Sequence, residues 1–368
     1  MSLAMKAAIV RTPRGAFALE DAWIEDPRAD EVLVRVVACG VCHTDAVMRD
    51  QEAPVPLPAV LGHEGSGVVV KVGAEVTGLA PGDPVVMSFH SCGECSSCAD
   101  HAPAYCHEFF PRNFQGRRTD GSTGVSIAGE PINANIFGQS AFATYALCHE
   151  DNAIKAPAGV PLEILGPLGC GIQTGAGAVL NALKVRPGAS IVVLGAGAVG
   201  LSAVMAARLA GAAVIVAADR TPARLALALE LGATHAVDTR DDLASGLRAI
   251  LRGGFDHILD TTGAPALVEG VVRHLATRGV LALVGAYPPE AALTLKMNSV
   301  MSYGRSVRGV VEGDSEPQVF IPELIDHFLA GRFPFDRLIR FYDFADINQA
   351  MADSLNGTTI KPVLRMPR

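Results

Sequence analysis

The sequence predicts an α/β protein with two domains: a β-rich domain with long loops, and a domain built on a parallel, doubly wound sheet. Three observations support this fold class. At 368 residues the chain is long enough for two well-buried cores. Up to about residue 165 it consists of short strand-like runs interrupted by Gly and Pro. From about residue 190, strand-like and helix-like runs alternate, as in a parallel sheet with crossover helices.

Strand-like runs define the first half of the chain. "EVLVRVVACG" (31–40) and "GSGVVVKVGAEV" (65–76) are rich in β-branched residues, and "LAPGDPVV" (79–86) is a turn that leads into a strand. We therefore expect β-barrel-like structure here. After about residue 312 the chain carries a predicted helix, "QVFIPELIDHFLAG", and a strand-like "IKPVLRM".

Alternating runs define the second half. The predicted strands, in order, are "SIVVLG", "AVIVAAD", "HAVD", "FDHILDTTG" and "GVLALVG". The predicted helices between them are "AVGLSAVMAARLAG", "TPARLALALELG", "DLASGLRAIL" and "APALVEGVVRHL". Strands separated by helices of this length favour a parallel sheet with helices on both faces.

Composition argues against several classes of protein. The chain is 49% hydrophobic with a net charge of −8 and has no run of Lys or Arg, so we expect no nucleic-acid partner. The most apolar window contains Arg208 and is cut by Gly200 and Gly211, which indicates a buried helix and strand rather than a membrane span. No secretory signal precedes the strand-like "KAAIVRT", and we expect a cytoplasmic protein without a membrane partner.

Four of the eight cysteines lie in one short loop. In "CGECSSCADHAPAYC" the spacing is Cys92-x2-Cys95-x2-Cys98-x7-Cys106. Cysteines in a cytosolic chain indicate metal binding or catalysis rather than disulfides. Four thiolates at this spacing can surround one zinc tetrahedrally and leave no open position, which predicts a structural site; an iron–sulfur cluster is the alternative.

The segment "CGVCHTD", from Cys39 to Asp45, has three interpretations. Cys39-x-x-Cys42-His43 is the pattern of a c-type haem attachment site, and Cys39-x-x-Cys42 alone is that of a redox pair. The third interpretation keeps only Cys42, as one ligand of a metal held by distant residues. The cytosolic setting weighs against haem.

A glycine-rich turn in the second half predicts a dinucleotide site. "VVLGAGAVG" places Gly195, Gly197 and Gly200 between a strand and a helix, where they permit a tight turn, approach of a pyrophosphate and close helix packing. Asp219 closes the next strand, where a carboxylate accepts from ribose hydroxyls and repels a 2′-phosphate. The pattern favours NAD over NADP, although the positive charge of Arg220, the next residue, could partly offset this preference. Arg224 is a further candidate for binding the cofactor.

Taken together, these motifs resemble the zinc-dependent medium-chain alcohol dehydrogenases along nearly the whole chain. They are "GVCHTD", "GHEGSG", the four-cysteine loop, "GCGIQTGAGAVLN", "GAGAVG" and "KPVL". The resemblance implies a GroES-like catalytic domain at residues 1–171 and 311–368, with its structural zinc loop at 92–106. It also implies a Rossmann NAD-binding domain at residues 172–310.

The resemblance also implies the catalytic metal site. It assigns Cys42, His63 and Cys170 as ligands of a catalytic zinc, with Glu64 beside the metal and Asp45 bonded to the ligand histidine. Two thiolates and one imidazole leave a fourth position for water or alcohol. We therefore expect NAD and two zinc ions per chain, one catalytic and one structural.

The same resemblance implies which residues transfer the substrate proton and which contact the cofactor phosphates. Thr44 is the predicted carrier of the substrate proton, but Val47 stands where many relatives have the histidine that continues the relay. His43 and Lys361 match residues that contact cofactor phosphate. Cys39 is then a packing residue without a role in the site.

Several features are similar to the aryl- and allylic-alcohol branch, which includes benzyl alcohol dehydrogenases. They are Val47, "CHEFFPRNFQGRRTDG" and "GRSVRGVVEGDS", and the substrate pocket implied by the resemblance consists of Phe89, Ile136, Phe137 and Val310. Oxidation of a primary aryl or allylic alcohol to the aldehyde is the predicted reaction. The alternatives are a short-chain alkanol dehydrogenase and a glutathione-dependent formaldehyde dehydrogenase, for which "QEAPVPLPAV" offers only Glu52 as a charged group.

Two further classes share parts of this pattern. A zinc-free quinone reductase or a non-enzymatic NAD- or zinc-binding protein would be expected to lack the metal ligands that are complete here. Relatives are homodimers or homotetramers, so we expect a homo-oligomer. The strand in "GVLALVGAYPP" is a candidate for extending the sheet across a two-fold axis.

Overall fold

The structure is a computed structural model that describes residues 2–367. Its strands are β1 (Ser2–Val10), β2 (Ala18–Glu25), β3 (Glu31–Gly40), β4 (Ala59–Val60), β5 (Gly65–Val72), β6 (Pro84–Met87), β7 (Val125–Ile127), β8 (Glu130–Ile132), β9 (Tyr145–His149), β10 (Ala153–Lys155), β11 (Ser190–Leu194), β12 (Val214–Asp219), β13 (His235–Asp238), β14 (Phe255–Asp260), β15 (Leu275–Leu283), β16 (Ser306–Gly309), β17 (Ile339–Asp343) and β18 (Lys361–Arg365). Its α-helices are α1 (His43–Arg49), α2 (Ser96–Ala99), α3 (Phe109–Phe114), α4 (Gly171–Gly177), α5 (Ala198–Leu209), α6 (Pro222–Leu231), α7 (Leu243–Ile250), α8 (Pro265–Val271), α9 (Met297–Tyr303), α10 (Pro317–Leu329) and α11 (Ile347–Leu355). Within residues 2–367, none of these helices has the length and apolar character needed to cross a membrane.

The chain divides into two compact units. The first contains the chain up to Cys170, Glu316–Asp326 and the chain from Asp336 onward, and the second contains Gly171–Ser315 and His327–Phe335.

Two sheets form the first unit. One has five antiparallel strands in the order β4-β1-β2-β7-β8. The other has seven strands in the order β10-β6-β5-β3-β18-β17, with β9 also paired to β3. Most of β3 is buried because it pairs with β5, β9 and β18, and this explains its nearly continuous run of apolar residues. The β-rich half predicted from the sequence is confirmed.

One parallel sheet forms the core of the second unit. Its six strands have the order β13-β12-β11-β14-β15-β16. Every residue of β11 is buried, as expected for a central strand covered by helices on both faces. The strand order reverses between β11 and β14, and open α/β sheets bind ligands at the carboxyl ends of strands at such a point. The predicted doubly wound sheet is therefore confirmed.

One expectation about this sheet is wrong. The strand in "GVLALVGAYPP" belongs to β15, which pairs with β14 on one side and β16 on the other, so it cannot extend the sheet. The edge strand on this side of the sheet is β16, and all four of its residues are exposed. Its sequence, "SVRG", has a single large apolar residue, and so it lacks the hydrophobic pattern that would identify a strand.

Candidate functional site

The carboxylate of Asp45 organises the segment "CGVCHTD". Asp45 lies in the first turn of α1, and its Oδ2 accepts from the backbone N–H of Cys42 at 3.0 Å. Its Oδ1 lies 3.1 Å from the backbone nitrogen of Gly62 and 3.0 Å from Nδ1 of His63. A proton on Nδ1 satisfies this contact and leaves Nε2 of His63 with its lone pair available.

His63 belongs to a cluster of groups that can bind a metal. His63 is fully buried, and its Nε2 has no hydrogen-bond partner within the described part of the chain. One ligand atom from each of Cys42, His63, Glu64 and Cys170 lies within 4.8 Å of the others. A buried imidazole nitrogen without a partner is costly unless something binds it, and two thiols with an imidazole are a donor set that suits zinc. The residues present therefore fit a catalytic zinc.

Cys39 and Cys42 differ in their surroundings although they are three residues apart. The neighbouring Cys170 lowers the pKa of Cys42 well below the ordinary value of a thiol. Burial raises the pKa of Cys39 well above that value, and its Sγ lies 3.4 Å from the backbone oxygen of Gly40. Only the thiolate is a good metal ligand, so Cys42 is suited to bind metal and Cys39 is not.

Glu64 forms a buried ion pair beside this cluster. Nζ of Lys361 lies 2.8 Å from both carboxylate oxygens of Glu64, and neither side chain is exposed by more than 3%. A Cβ at Gly40 would lie 2.0 Å from Oε2 of Glu64, so this glycine makes room for the carboxylate. Burial would lower the pKa of Lys361, but the Glu64 carboxylate raises it above its ordinary value. The predicted contact of Lys361 with a cofactor phosphate stays a prediction, since its ammonium is occupied by Glu64 here.

Two buried polar residues that the sequence interpretation missed hold the backbone around the cluster. Gln139 donates from Nε2 to the backbone oxygen of His63 at 3.0 Å and accepts at Oε1 from the N–H of Gly65 at 3.0 Å. The hydroxyl of Ser88 donates to the backbone oxygen of Gly169 at 2.7 Å. Both residues are distant in sequence from the segments that they hold, and no local motif identifies them.

Three other side chains of α1 that the sequence analysis names are less buried than Asp45. Oγ1 of Thr44 lies 3.8 Å from Sγ of Cys42, and the residue is half-buried. His43 is exposed, and Val47 is half-buried. The Val47 side chain has no group that binds a proton, so it cannot pass one on from Thr44.

The four-cysteine loop forms a second cluster. One sulfur atom from each of Cys92, Cys95, Cys98 and Cys106 lies within 4.8 Å of the others. The backbone N–H of Cys95 donates to Sγ of Cys92, and that of Cys92 to Sγ of Cys106, each at 3.3 Å. The backbone N–H of His107 lowers the pKa of Cys95 to about 6. Four thiols supported by backbone N–H groups fit a closed tetrahedral metal site.

One aromatic ring lies directly against the predicted ligand histidine. The ring centroids of His63 and Phe137 are 4.7 Å apart, and Phe137 has a left-handed backbone with φ of 51°. Such a conformation is strained for a bulky residue and is retained where the surroundings demand it. Phe89, Ile136 and Val310 are also buried, so the four predicted pocket residues are apolar and withdrawn from solvent.

The glycine turn of the second unit has the geometry of a phosphate cradle. Gly195 has φ of +92°, and a Cβ at Gly200 would lie 1.9 Å from the backbone oxygen of Gly195. A Cβ at Gly197 would meet no atom within 4 Å, so this position is open to a ligand. The three glycines therefore supply the turn, the helix contact and the open approach that a pyrophosphate requires.

Asp219 ends β12 beside this turn. Its Oδ2 accepts from the backbone N–H of Ala196 at 2.7 Å, and its Oδ1 from that of Thr221 at 2.8 Å. These bonds fix the carboxylate and still leave acceptor sites for ribose hydroxyls. Arg220 is exposed and Arg224 is half-buried.

Two family models and several relatives that match over nearly the whole chain resemble this protein. The family described as "Alcohol dehydrogenase GroES-like domain" matches residues 28–158, and the family described as "Zinc-binding dehydrogenase" matches residues 198–329. Geraniol dehydrogenase of Castellaniella defragrans is 47% identical over 365 residues, or 98% of each chain. A solved alcohol dehydrogenase zinc-binding domain protein of Burkholderia ambifaria is 54% identical with a TM-score of 0.98, and the match covers 100% of each chain. The structure of benzyl alcohol dehydrogenase of Acinetobacter calcoaceticus is 47% identical with a TM-score of 0.96, over 99% of this chain and 100% of that chain.

Proposed function

The chain belongs to the zinc-dependent medium-chain alcohol dehydrogenases, and on that premise we propose that it oxidises primary aryl or allylic alcohols to aldehydes with NAD as hydride acceptor. The first unit would be the catalytic domain and the second the cofactor domain.

One observation carries the proposal. Nε2 of His63 is buried, lacks a hydrogen-bond partner within residues 2–367, and points into the cluster that contains Cys42 and Cys170. We propose these three residues as the ligands of a catalytic zinc, because they leave a fourth tetrahedral position for a substrate oxygen. The loop cysteines 92, 95, 98 and 106 would hold a second, structural zinc.

When bound, zinc supplies a Lewis acid that lowers the pKa of an alcohol hydroxyl, and NAD supplies the hydride acceptor. The residues of the chain orient the ligand histidine and take the proton from the alcohol. Asp45 fixes the ring of His63 through Nδ1, so that the Nε2 lone pair keeps its direction. Thr44 would accept the hydroxyl proton of the substrate.

Beyond Thr44 the proton path differs from that of many relatives. Val47 offers neither a donor nor an acceptor. We propose that the proton leaves by way of the cofactor ribose and water rather than through a protein side chain.

NAD is favoured over NADP by the carboxylate at the end of β12. Asp219 is fixed by the N–H groups of Ala196 and Thr221 and would repel a 2′-phosphate. In this proposal Arg220 and Arg224 make further contacts with the cofactor. His43 and Lys361 would lie near the cofactor phosphates.

An aryl or allylic substrate is supported by the apolar surroundings of His63. The ring of Phe137 packs against the imidazole, and Phe89 and Ile136 are buried with it in the first unit. Flat unsaturated groups pack well against such rings. Two relatives that are 47% identical carry the names geraniol dehydrogenase and benzyl alcohol dehydrogenase.

A panel of initial rates tests this function. Benzyl alcohol, cinnamyl alcohol, geraniol, ethanol and hydroxymethylglutathione are each assayed with NAD and with NADP. We expect the highest kcat/KM for one of the three unsaturated alcohols with NAD. Ethanol at equal kcat/KM would point to a short-chain alkanol dehydrogenase, and hydroxymethylglutathione as the best substrate to a formaldehyde dehydrogenase.

We also propose a homodimer or homotetramer. The support is the edge strand β16, whose four residues are exposed and whose outer side has no partner strand within the described residues. Light scattering during size-exclusion chromatography measures the mass, and a monomer at assay concentration would contradict this.

A further inference from the structure

The carboxylate of Asp260 joins two loops at the carboxyl edge of the parallel sheet. Asp260 is the last residue of β14 and is fully buried. Its Oδ1 accepts from the backbone N–H of Thr262 at 3.2 Å and from its hydroxyl at 2.6 Å. Its Oδ2 accepts from the backbone N–H of Gly263 at 3.0 Å and from the hydroxyl of Tyr287 at 2.5 Å. The loop that follows β14 is thereby tied to the loop that follows β15.

The loop that follows β14 lies against the glycine turn. The backbone N–H and the hydroxyl of Thr261 donate to the backbone oxygen of Leu194, at 3.0 Å and 2.8 Å. A Cβ at Gly195 would lie 2.6 Å from Oγ1 of Thr261 and 3.0 Å from Cγ2 of Thr262. A displacement of this loop therefore reaches the first glycine of the predicted pyrophosphate cradle.

The two loops also touch each other without intervening side chains. A Cβ at Gly285 would lie 2.2 Å from the backbone nitrogen of Gly263, and a Cβ at Gly263 would lie 2.2 Å from the backbone oxygen of Ala286. Backbone packed this closely transmits a shift directly, because no flexible side chain absorbs it.

The loop after β14 borders the point where the strand order of the sheet reverses, between β11 and β14, and the loop after β15 follows the next strand of the sheet. Dinucleotides bind at this point in open α/β sheets. We propose that Tyr287 and Asp260 are positioning residues for the dinucleotide: their hydrogen bond holds the two loops that wall the cofactor crevice. This inference rests on the dinucleotide dependence in the proposed function, and it assigns a role to two residues outside the GxGxxG motif.

The tyrosine is suited to this role over the range of assay pH. Burial and the neighbouring Asp260 carboxylate raise the pKa of Tyr287 above its ordinary value, so the hydroxyl remains a donor. The carboxylate of Asp260 accepts four hydrogen bonds from these two loops, and Tyr287 is the only one of these four donors in the loop after β15. The backbone N–H groups of Val284 and Gly285 in that loop donate to the backbone oxygen of Asp260, at 3.0 Å and 3.2 Å. Removing the hydroxyl of Tyr287 therefore deletes the bond from the loop after β15 to this carboxylate, and it leaves the aromatic ring and the backbone bonds in place.

The test is Tyr287→Phe in the zinc-loaded enzyme. The dissociation constant for NAD is measured by titration without alcohol, and KM is measured for NAD and for the alcohol. Loss of a hydrogen bond to a buried carboxylate is expected to raise the dissociation constant and the KM for NAD about tenfold. The KM for the alcohol is expected to change less than the KM for NAD, because three of the four predicted pocket residues, Phe89, Ile136 and Phe137, belong to the first unit.

A matched control is Tyr342→Phe. The hydroxyl of Tyr342 lies 2.7 Å from Oδ2 of Asp353 and 2.7 Å from Oγ1 of Thr359, all in the first unit. This variant loses the same kind of bond and should lower the melting temperature without weakening NAD binding. Thr262→Val, which removes another hydroxyl from Asp260, provides a second variant if Tyr287→Phe does not fold.

The outcomes separate this inference from the proposed function. Weaker NAD binding in Tyr287→Phe or Thr262→Val, with unchanged binding in Tyr342→Phe, supports the positioning role. Unchanged binding in both crevice variants, or equal weakening in the control, overturns it. If the unmodified enzyme prefers NADP, only the cofactor choice is wrong, and the same ratios are measured with NADP. If it binds neither dinucleotide, both the proposed function and this inference fail.

Discussion

The two clusters of potential metal ligands in the first unit differ in how the chain builds them. The loop cluster takes all four thiols from residues 92–106, and its cysteines are partly accessible except for Cys106. The cluster around His63 takes its groups from three separate segments, and Asp45, Gln139 and Lys361 hold it from outside. A closed site made from one loop serves stability, whereas a site built from distant segments and supported by polar groups can orient a reacting molecule.

The largest expected effect is that of Cys42→Ala. Loss of this ligand removes the metal site and with it several kcal/mol of stabilisation of the developing charge, so kcat should fall by at least about 10³-fold. Zinc content, measured by mass spectrometry of the metal, should fall by one ion per chain.

Cys39→Ala is the matched control, because Cys39 is also a cysteine of "CGVCHTD" but lies outside the cluster. It should keep its zinc and its turnover. Zinc loss in Cys39→Ala with retention in Cys42→Ala would contradict the assignment of the ligand.

Thr44→Ala should have the next largest effect. Removing the hydroxyl that accepts the substrate proton is expected to lower kcat by about 10²-fold or more, with NAD affinity nearly unchanged. Thr44→Ser, which keeps the hydroxyl, serves as the control. An unchanged rate of alcohol oxidation across the pH range in Thr44→Ala would show that the proton takes another route.

Asp45→Asn tests the support of the ligand histidine. The amide can no longer hold the Nδ1 proton of His63 as a charged acceptor, and the affinity for zinc should fall about 10- to 100-fold. Competition with a chelator measures the affinity. The loop zinc is an internal control, since its affinity should not change in this variant.

Cys98→Ala should have the smallest effect on turnover and a large effect on stability. Loss of the loop zinc should lower the melting temperature, while kcat per folded molecule stays within about threefold, because this site makes no contact with the reacting groups. Complete loss of turnover in folded Cys98→Ala would mean that the two clusters do not have separate roles.

Sequence patterns predicted the parallel sheet well because each strand of its centre is a short apolar run between amphipathic helices. "SIVVLG" and "AVIVAAD" contain β11 and β12, and in the first unit "EVLVRVVACG" coincides with β3. The edge strand β16 was not recognised, since an exposed strand needs no apolar residues. The full exposure of β16, which depends on the tertiary structure, caused this error.

The residues of the candidate sites also differ in whether a local sequence pattern identifies them. The four-cysteine loop is visible in the sequence because its spacing is local. Cys170 has no local signal and was identified only through resemblance to a family. Gln139, Ser88 and the Asp260–Tyr287 bond were not predicted, since hydrogen bonds between distant residues depend on a fold that periodicity does not specify.

Stepwise removal of zinc from the unmodified enzyme tests the central claim most directly. Zinc per chain and the rate of NAD reduction by benzyl alcohol are measured together as a chelator is added, with Cys98→Ala treated in parallel. The account predicts about two zinc ions per chain at the start, and loss of all turnover when the zinc bound by Cys42, His63 and Cys170 is gone. Turnover that persists after both ions have been removed would contradict it.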